Sequence, residues 1–442
     1  MAVLPTKLKL KDFIGSEEEI CTQYAFKWIA GDIGISGYPM PEFFNLIIVN
    51  SNAAEGTSLT DASIYLQLIE DARELKTVKA AADFRMPMPC CGTVLMKDVI
   101  NTSIFEKFAA EGVKSIEKLS YSYRQAFLIL FKFLREKKRH GKSIQTLTKR
   151  SSSTVGNTES NAMAALALHL FSQLVPDKIY EVDKLAKHVP TECECGCQTM
   201  ICSGNTSVGS MRTWHGRVDI VLNNTVAVAV RKEITGTGED GCTDAESEDS
   251  CTDEDEPVTK KRKANQCDIC VKEELTEKPG ALLDEKFLKQ ILAEAITNSF
   301  AQANMQKEPL SHFLIPTFGA SSEEVSLCLY DSVNDHLLHI IQPLRLWSDD
   351  LDRELELDWQ AIVVIWLFLN FDVFMKKDLH ASISLEKSGL HEQLKGHLEY
   401  YRQAETKQNF TGSTPWNSWW QKVIKKPLPK LEVIPDEAEK EN

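Results

Sequence analysis

Residues 213–233 read TWHGRVDIVLNNTVAVAVRKE. Two short β-branched runs flank the pair Asn223-Asn224, so the segment is predicted to fold as a β-hairpin. Asp219 lies in the first run and Lys232 closes the second. Pairing of adjacent strands would bring this carboxylate and the end of the second strand within reach of a single bound metal ion. No other short segment so narrows the folds open to the chain, because a hairpin of this apolarity must be covered by further strands and helices.

The flanking pattern supplies them. Residues 158–174 are apolar on one face and open with Thr-Glu-Ser-Asn, a helix start. Strand-like runs follow near 199–203, 217–222 and 225–232. A long amphipathic helix is predicted over 283–305, and strand candidates occupy 312–318, 325–330 and 336–341. This order predicts a mixed α/β fold. Before it, residues 1–142 read as a helical N-terminal region, with apolar residues at helical spacing in 63–79 and 115–138. Residues 143–156, rich in Ser and Thr, read as a linker. The α/β domain is expected over 157–345, a C-terminal helical extension over 346–426 (with helices in 358–375 and 389–405), and a flexible tail over 427–442.

The 442 residues are enough for two or three domains with real cores. The most apolar run, AIVVIWLFLNF at 361–371, is well short of the roughly 20 residues of a membrane span. It reads as a buried helix, and no membrane partner is expected. With no signal-peptide core at the N-terminus, the 12 cysteines read as reduced thiols or metal ligands. Cys193, Cys195, Cys197 and Cys202 lie close together with His188 nearby. Cys267 and Cys270 form a C-x2-C pair that could share a Zn²⁺ ion with them. Free thiols beside a strand are the competing reading.

Net charge is −14, but it is unevenly spread. Residues 234–283 contain 14 acidic and 6 basic side chains, which leaves only −6 for the rest of the chain and room for a basic groove. Residues 234–282 are predicted to be a disordered acidic insertion between a strand and the next helix. Within it, Lys260, Lys261, Arg262 and Lys263 follow a proline and resemble a nuclear localisation signal read by an import receptor, against the plainer reading of a solvated charge run. Ser247, Ser250 and Thr252 resemble acidophilic-kinase sites. A basic stretch over 132–150 suits a phosphate backbone or a solvated helix end equally. Trp416, Trp419 and Trp420 suit base stacking or the pinning of a terminal segment.

Over 157–344, element order and these residues together resemble the PD-(D/E)XK nuclease superfamily. Asp219 matches its strand aspartate and Lys232 the lysine of its (D/E)XK triplet. Gln290, in the helix after the hairpin, matches the glutamine of exonuclease-like members, and Glu159 matches an acid in the preceding helix. The resemblance implies a mixed sheet flanked by helices and action on DNA. It further implies Mg²⁺ held by Asp219 with Glu159 or Glu233, water activation by Lys232 and positioning by Gln290. The chain departs from the family at Val230, where the triplet carries an acid. Glu233 is adjacent, but strand alternation points it away from the Lys232 face unless a bulge intervenes. If the site is intact, Asp219, Lys232 and one further carboxylate must converge. The alternative is a non-enzymatic nuclear protein that recruits partners through the acidic loop. The sequence does not specify an oligomeric state.

Overall fold

The run Val226–Val230 alternates valine and alanine, and both its faces are buried. The computed structural model describes residues 8–31, 42–67, 92–151, 158–231, 284–305, 314–348, 356–376, 379 and 383–407, without the side chains of 149–151 and 158–159. Helix α1 (Glu17–Ala30) is followed by strands β1 (Glu42–Asn45), β2 (Ile48–Ser51), β3 (Ile64–Leu66) and β4 (Thr93–Leu95). Short helices α2 (Met96–Val99), α3 (Thr102–Glu111) and α4 (Val113–Ile116) lead into the long α5 (Tyr121–Ser151) and then α6 (Thr158–His169). Next come β5 (Tyr180–Asp183), β6 (Ser203–Gly204), β7 (Ser207–Gly209), β8 (His215–Arg217), β9 (Ile220–Leu222) and β10 (Val226–Val230). Helix α7 (Glu285–Met305) precedes β11 (Leu314–Ala320), β12 (Glu324–Asp331), β13 (His336–Ile340) and β14 (Leu344–Arg345). Helices α8 (Trp359–Leu369) and α9 (Phe371–Phe374) and strand β15 (Glu405–Thr406) complete the described chain, with single helical turns at Leu390–Gln393 and Leu398–Tyr401.

The main ten-stranded sheet has the order β4-β1-β13-β12-β11-β10-β9-β5-β6, with β14 added to β12. It is mixed. Strands β9 and β10 pair antiparallel as the predicted hairpin, whereas β10 and β11 run parallel, and α7 lies in the connection between them. Asn223 and Asn224 take φ of 48° and 58°, the left-handed region that asparagine tolerates, and the Thr225 N–H closes the turn on the Leu222 carbonyl at 2.9 Å.

Alternation along β10 divides the interior into two cores. Val226, Val228 and Val230 pack with α1, α3, α5, α6 and α8, while Ala227 and Ala229 face α7. The small side chains let that helix approach closely. Gly319 on β11 does the same, since a Cβ there would lie 2.1 Å from Ile291 Cδ1. A three-stranded sheet, β15-β7-β8, also contacts α7, so α7 is covered on more than one side. Every residue from Ile291 to Gln302 is buried, including the polar ones. In the other core, Phe26, Phe105, Phe108, Phe127 and Phe374 cluster with Trp366, whose indole N–H donates to the Ala126 carbonyl at 2.8 Å.

Several segments differ from expectation. Residues 64–66, inside the stretch 63–79 expected to be helical, form β3, and 68–91 lie outside the described residues. The expected linker at 143–156 is helical as far as Ser151, because α5 keeps burying Ile144 and Leu147. The N-terminal region is not all helix: β1 and β4 extend the main sheet, with Phe43 opposite Ile340. The apolar run in the expected C-terminal extension is the buried helix α8, capped by Asp358 and packed on α1 and α5. Through Lys407 the chain clusters as one compact unit. The whole of the acidic insertion and all of the tail lie outside the described residues. Among the described residues, no helix is long and apolar enough to cross a membrane.

Candidate functional site

The segment read as one strand over 217–222 is split. β8 belongs to the small sheet and β9 to the large one, and Asp219 sits at the corner between them. Its Oδ2 accepts the Val230 N–H at 2.6 Å, tying the corner to the end of β10. The preceding Arg217 donates from Nε to buried Asp183 at 2.6 Å, a second tie that fixes the corner.

Helix α7 carries a second acid that feels the Asp219 charge. Glu294 is fully buried, its Oε1 accepts from Gln290 Nε2 at 2.9 Å, and its Oε2 has no hydrogen-bond partner. Burial pushes its carboxyl well above the usual carboxylate range. The Asp219 charge raises it further, and the Gln290 hydrogen bond opposes the rise. Asp219 and Gln290 thus both act on Glu294, a residue that sequence reasoning missed. Arg231 was missed as well. It follows Ala227 and Ala229 in the alternation, and its guanidinium lies 3.2 Å from Asp284 at the start of α7. Val230 belongs to the opposite core, so its side chain does not stand at this site. Lys232 and Glu233 lie outside the described residues. Glu159 opens α6, and its side chain is among those not described.

A separate cluster forms where α6 ends. His169, Cys193, Cys195 and Cys197 each offer one ligand atom, all within 4.8 Å of one another, and this set could hold a metal such as zinc. His169 Nε2 lies 3.1 Å from Cys193 Sγ and 3.4 Å from Cys195 Sγ, and the two sulfurs are 3.2 Å apart. Burial and the nearby Arg139 charge hold the His169 imidazole down at about 4, so it is neutral at physiological pH, the form that ligates metals. Burial pushes the Cys193 thiol up. Of the six cysteines expected as possible zinc ligands, three come together here, with a histidine as the fourth donor. Cys202 is exposed and outside the cluster, His188 is not part of it, and Cys267 and Cys270 lie outside the described residues. Only the dense C-x-C-x-C run pointed to this site, and nothing in the sequence linked it to a histidine 24 residues upstream.

The cluster borders a cavity of about 900 Å³ that is also lined by Arg139, Lys142 and Lys178. Among the described residues of the basic stretch on α5, four form ion pairs within the chain. Arg135 pairs with Glu18 at 3.1 Å, Lys137 and Lys138 pair with Glu356 at 3.4 and 2.8 Å, and Arg139 pairs with Glu136. Lys142, from the same stretch, and Lys178, from outside it, line the cavity. The basic cluster at 260–263 and Trp416, Trp419 and Trp420 lie outside the described residues.

Comparison with known protein families, curated proteins and solved structures finds no match to this chain.

Proposed function

We propose that this chain acts on nucleic acid as a phosphodiesterase of the PD-(D/E)XK type in which helix α7 replaces the missing strand acid. The observation that carries this reading is Glu294, a fully buried acid that feels the Asp219 charge and whose Oε2 has no hydrogen-bond partner. An orphaned carboxylate oxygen beside a second carboxylate suits a hard divalent cation such as Mg²⁺, which accepts oxygen ligands of this kind. Bound there, the cation would supply an activated water and offset charge on the phosphate. Asp219 and Glu294 hold the oxygen ligands. Gln290 orients Glu294 through its amide N–H. Arg231, half-buried at the end of β10, supplies fixed positive charge for a phosphate in the part assigned to Lys232 from the sequence. DNA as the substrate, a nuclear location and binding of an import receptor through Lys260–Lys263 belong to the same proposal and rest on the sequence.

The test is cleavage of supercoiled plasmid and of single-stranded oligonucleotide with Mg²⁺ or Mn²⁺. Wild type is expected to cleave. Asp219→Asn and Glu294→Gln are expected to fall to background, and Arg231→Ala to lose about 100-fold, as when one charge-stabilising donor is removed. Equal cleavage by wild type and both carboxylate variants would overturn the assignment. The hydrogen bond from Val230 to Asp219 favours a second reading, in which the carboxylate serves only as a latch on the hairpin. Binding of DNA without cleavage under any divalent cation would select that reading, a non-enzymatic nuclear protein.

A further inference from the structure

We infer that His169, Cys193, Cys195 and Cys197 bind one Zn²⁺ in a closed tetrahedral site, whose role is to fasten the loop between β5 and β6 to the end of α6. This site is independent of the Asp219–Glu294 pair and of the function proposed for it.

The backbone builds the site from both sides. His169 is the last residue of α6, buried beneath the Cys193–Cys197 turn. Two hydrogen bonds close the loop on itself, Cys193 N–H to Thr199 O at 2.8 Å and Ile201 N–H to Thr191 O at 2.9 Å. Within it, Gly196 and Gln198 take φ of 96° and 57°, and these left-handed residues reverse the chain tightly enough to gather three alternate sulfurs. In a tetrahedral zinc site, bond lengths of about 2.3 Å to sulfur and 2.0–2.1 Å to nitrogen put neighbouring ligand atoms about 3.5–3.8 Å apart. The contacts among His169, Cys193 and Cys195, 3.1 to 3.4 Å, are slightly tighter, and all four atoms lie within 4.8 Å of one another, so small movements would bring them to that spacing. Cys193, Cys195 and Cys197 are free thiols, with the Cys193 and Cys195 sulfurs 3.2 Å apart.

Ligand chemistry and count select the metal and its role. Three thiolates and an imidazole are soft and borderline donors, matched to zinc rather than to Mg²⁺ or Ca²⁺. Four protein ligands leave no open position, the mark of a structural rather than a catalytic zinc. On binding, each thiol gives its proton to solvent and its sulfur lone pair to the metal. The loop needs such a staple. Much of 184–202 is irregular, and Leu185 and Met200 stand exposed at 62% and 58% instead of forming a core. The neighbouring cavity reaches Cys195 and Cys197, which gives chelators and exchanging ions a route to the site.

The test uses the full-length chain purified with zinc in the growth medium. Elemental analysis is expected to find about one zinc per chain. Cobalt substitution is expected to give the visible d–d absorption and near-ultraviolet charge-transfer band of a tetrahedral thiolate site. Cys193→Ser and Cys195→Ser should fall to near zero metal, whereas Cys202→Ser, which changes an exposed thiol beside the same cavity, should keep a full complement. His169→Cys separates lost ligation from lost folding. It should still bind one cobalt, with its absorption shifted by the fourth sulfur. Stoichiometric zinc in Cys193→Ser, or zinc lost from Cys202→Ser as readily as from Cys193→Ser, would overturn the assignment. So would a wild-type chain that stays metal-free with all its thiols titratable.

Discussion

Replacing Glu294 by glutamine isolates the electrostatics of the candidate active site. Glu294 is fully buried, and its carboxyl is held well above its ordinary value of 4.5, chiefly by burial and then by the Asp219 charge. For an acid whose folded-state value exceeds its unfolded one, the native state binds the extra proton between the two. Stability is therefore fully present below about pH 4.5 and falls as pH rises toward the folded-state value. Within that window the slope is about 1.4 kcal/mol per pH unit. Glutamine keeps the carbonyl that accepts from Gln290 and has nothing to titrate. In buffers free of divalent cations, denaturant midpoints taken at rising pH from pH 5 should therefore show the wild type losing stability relative to Glu294→Gln, by at most about 1.4 kcal/mol per unit. A saturating divalent cation should reverse the loss, adding about 2.7 kcal/mol to the wild type at 100 times the dissociation constant and nothing comparable to the variant. If the stability difference between the two proteins stays flat from pH 5 to 7, Glu294 does not carry a retained proton and the reasoning fails.

The hairpin turn makes a second prediction. Asn224→Gly should change stability by less than about 0.5 kcal/mol, whereas Asn224→Val, forced to φ of 58°, should cost about 1–3 kcal/mol by chemical denaturation. Equal effects would mean the turn is not left-handed. Trp366 is fully buried among phenylalanines, so Trp366→Ala should cost about 3–5 kcal/mol, read from the denaturant midpoint at constant m-value. A loss under 1 kcal/mol would contradict its place in the core. Gly319→Ala tests the approach of α7 to β11. The added methyl must displace Ile291 and should cost about 1–3 kcal/mol, and Ile291→Ala in the same chain should recover part of that loss.

How far the sequence discloses this structure depends on the range of the forces involved. The β9–β10 hairpin, α7 and α8 were legible because strand alternation, helical periodicity and the Asn-Asn turn are written locally. The pairing of β1 with β13 was not, since Phe43 and Ile340 come from opposite ends of the chain and no local pattern links them. His169 escaped for the same reason: its partnership with Cys193 depends on where α6 ends relative to a loop 24 residues away. Glu294 was hidden differently. In the segment AEAITNSF a glutamate reads as part of a solvated face. Only the presence of sheets on more than one side of α7 turns that face inward and buries the acid.

On the proposed function, the parity of β10 accounts for the lack of an acid in the strand and for an acid on the helix instead. Even-numbered residues of the strand face the α5–α6–α8 core, where Val226, Val228 and Val230 exclude water. A carboxylate at 230 would be buried there without a partner, at a cost of several kcal/mol. Odd-numbered residues face α7, and Ala227 and Ala229 must stay small for that helix to pack. No position within β10 thus accepts an acid without loss of packing. The first side chain past the strand that faces α7 is Arg231, a cation rather than an acid. The other wall of the same space is α7 itself, and there the chain carries Glu294, one helical turn beyond Gln290, with Asp219 alongside. An acid supplied by the helix satisfies both constraints. It leaves the valine core undisturbed, and its carboxylate is held by a glutamine on its own helix rather than by the strand.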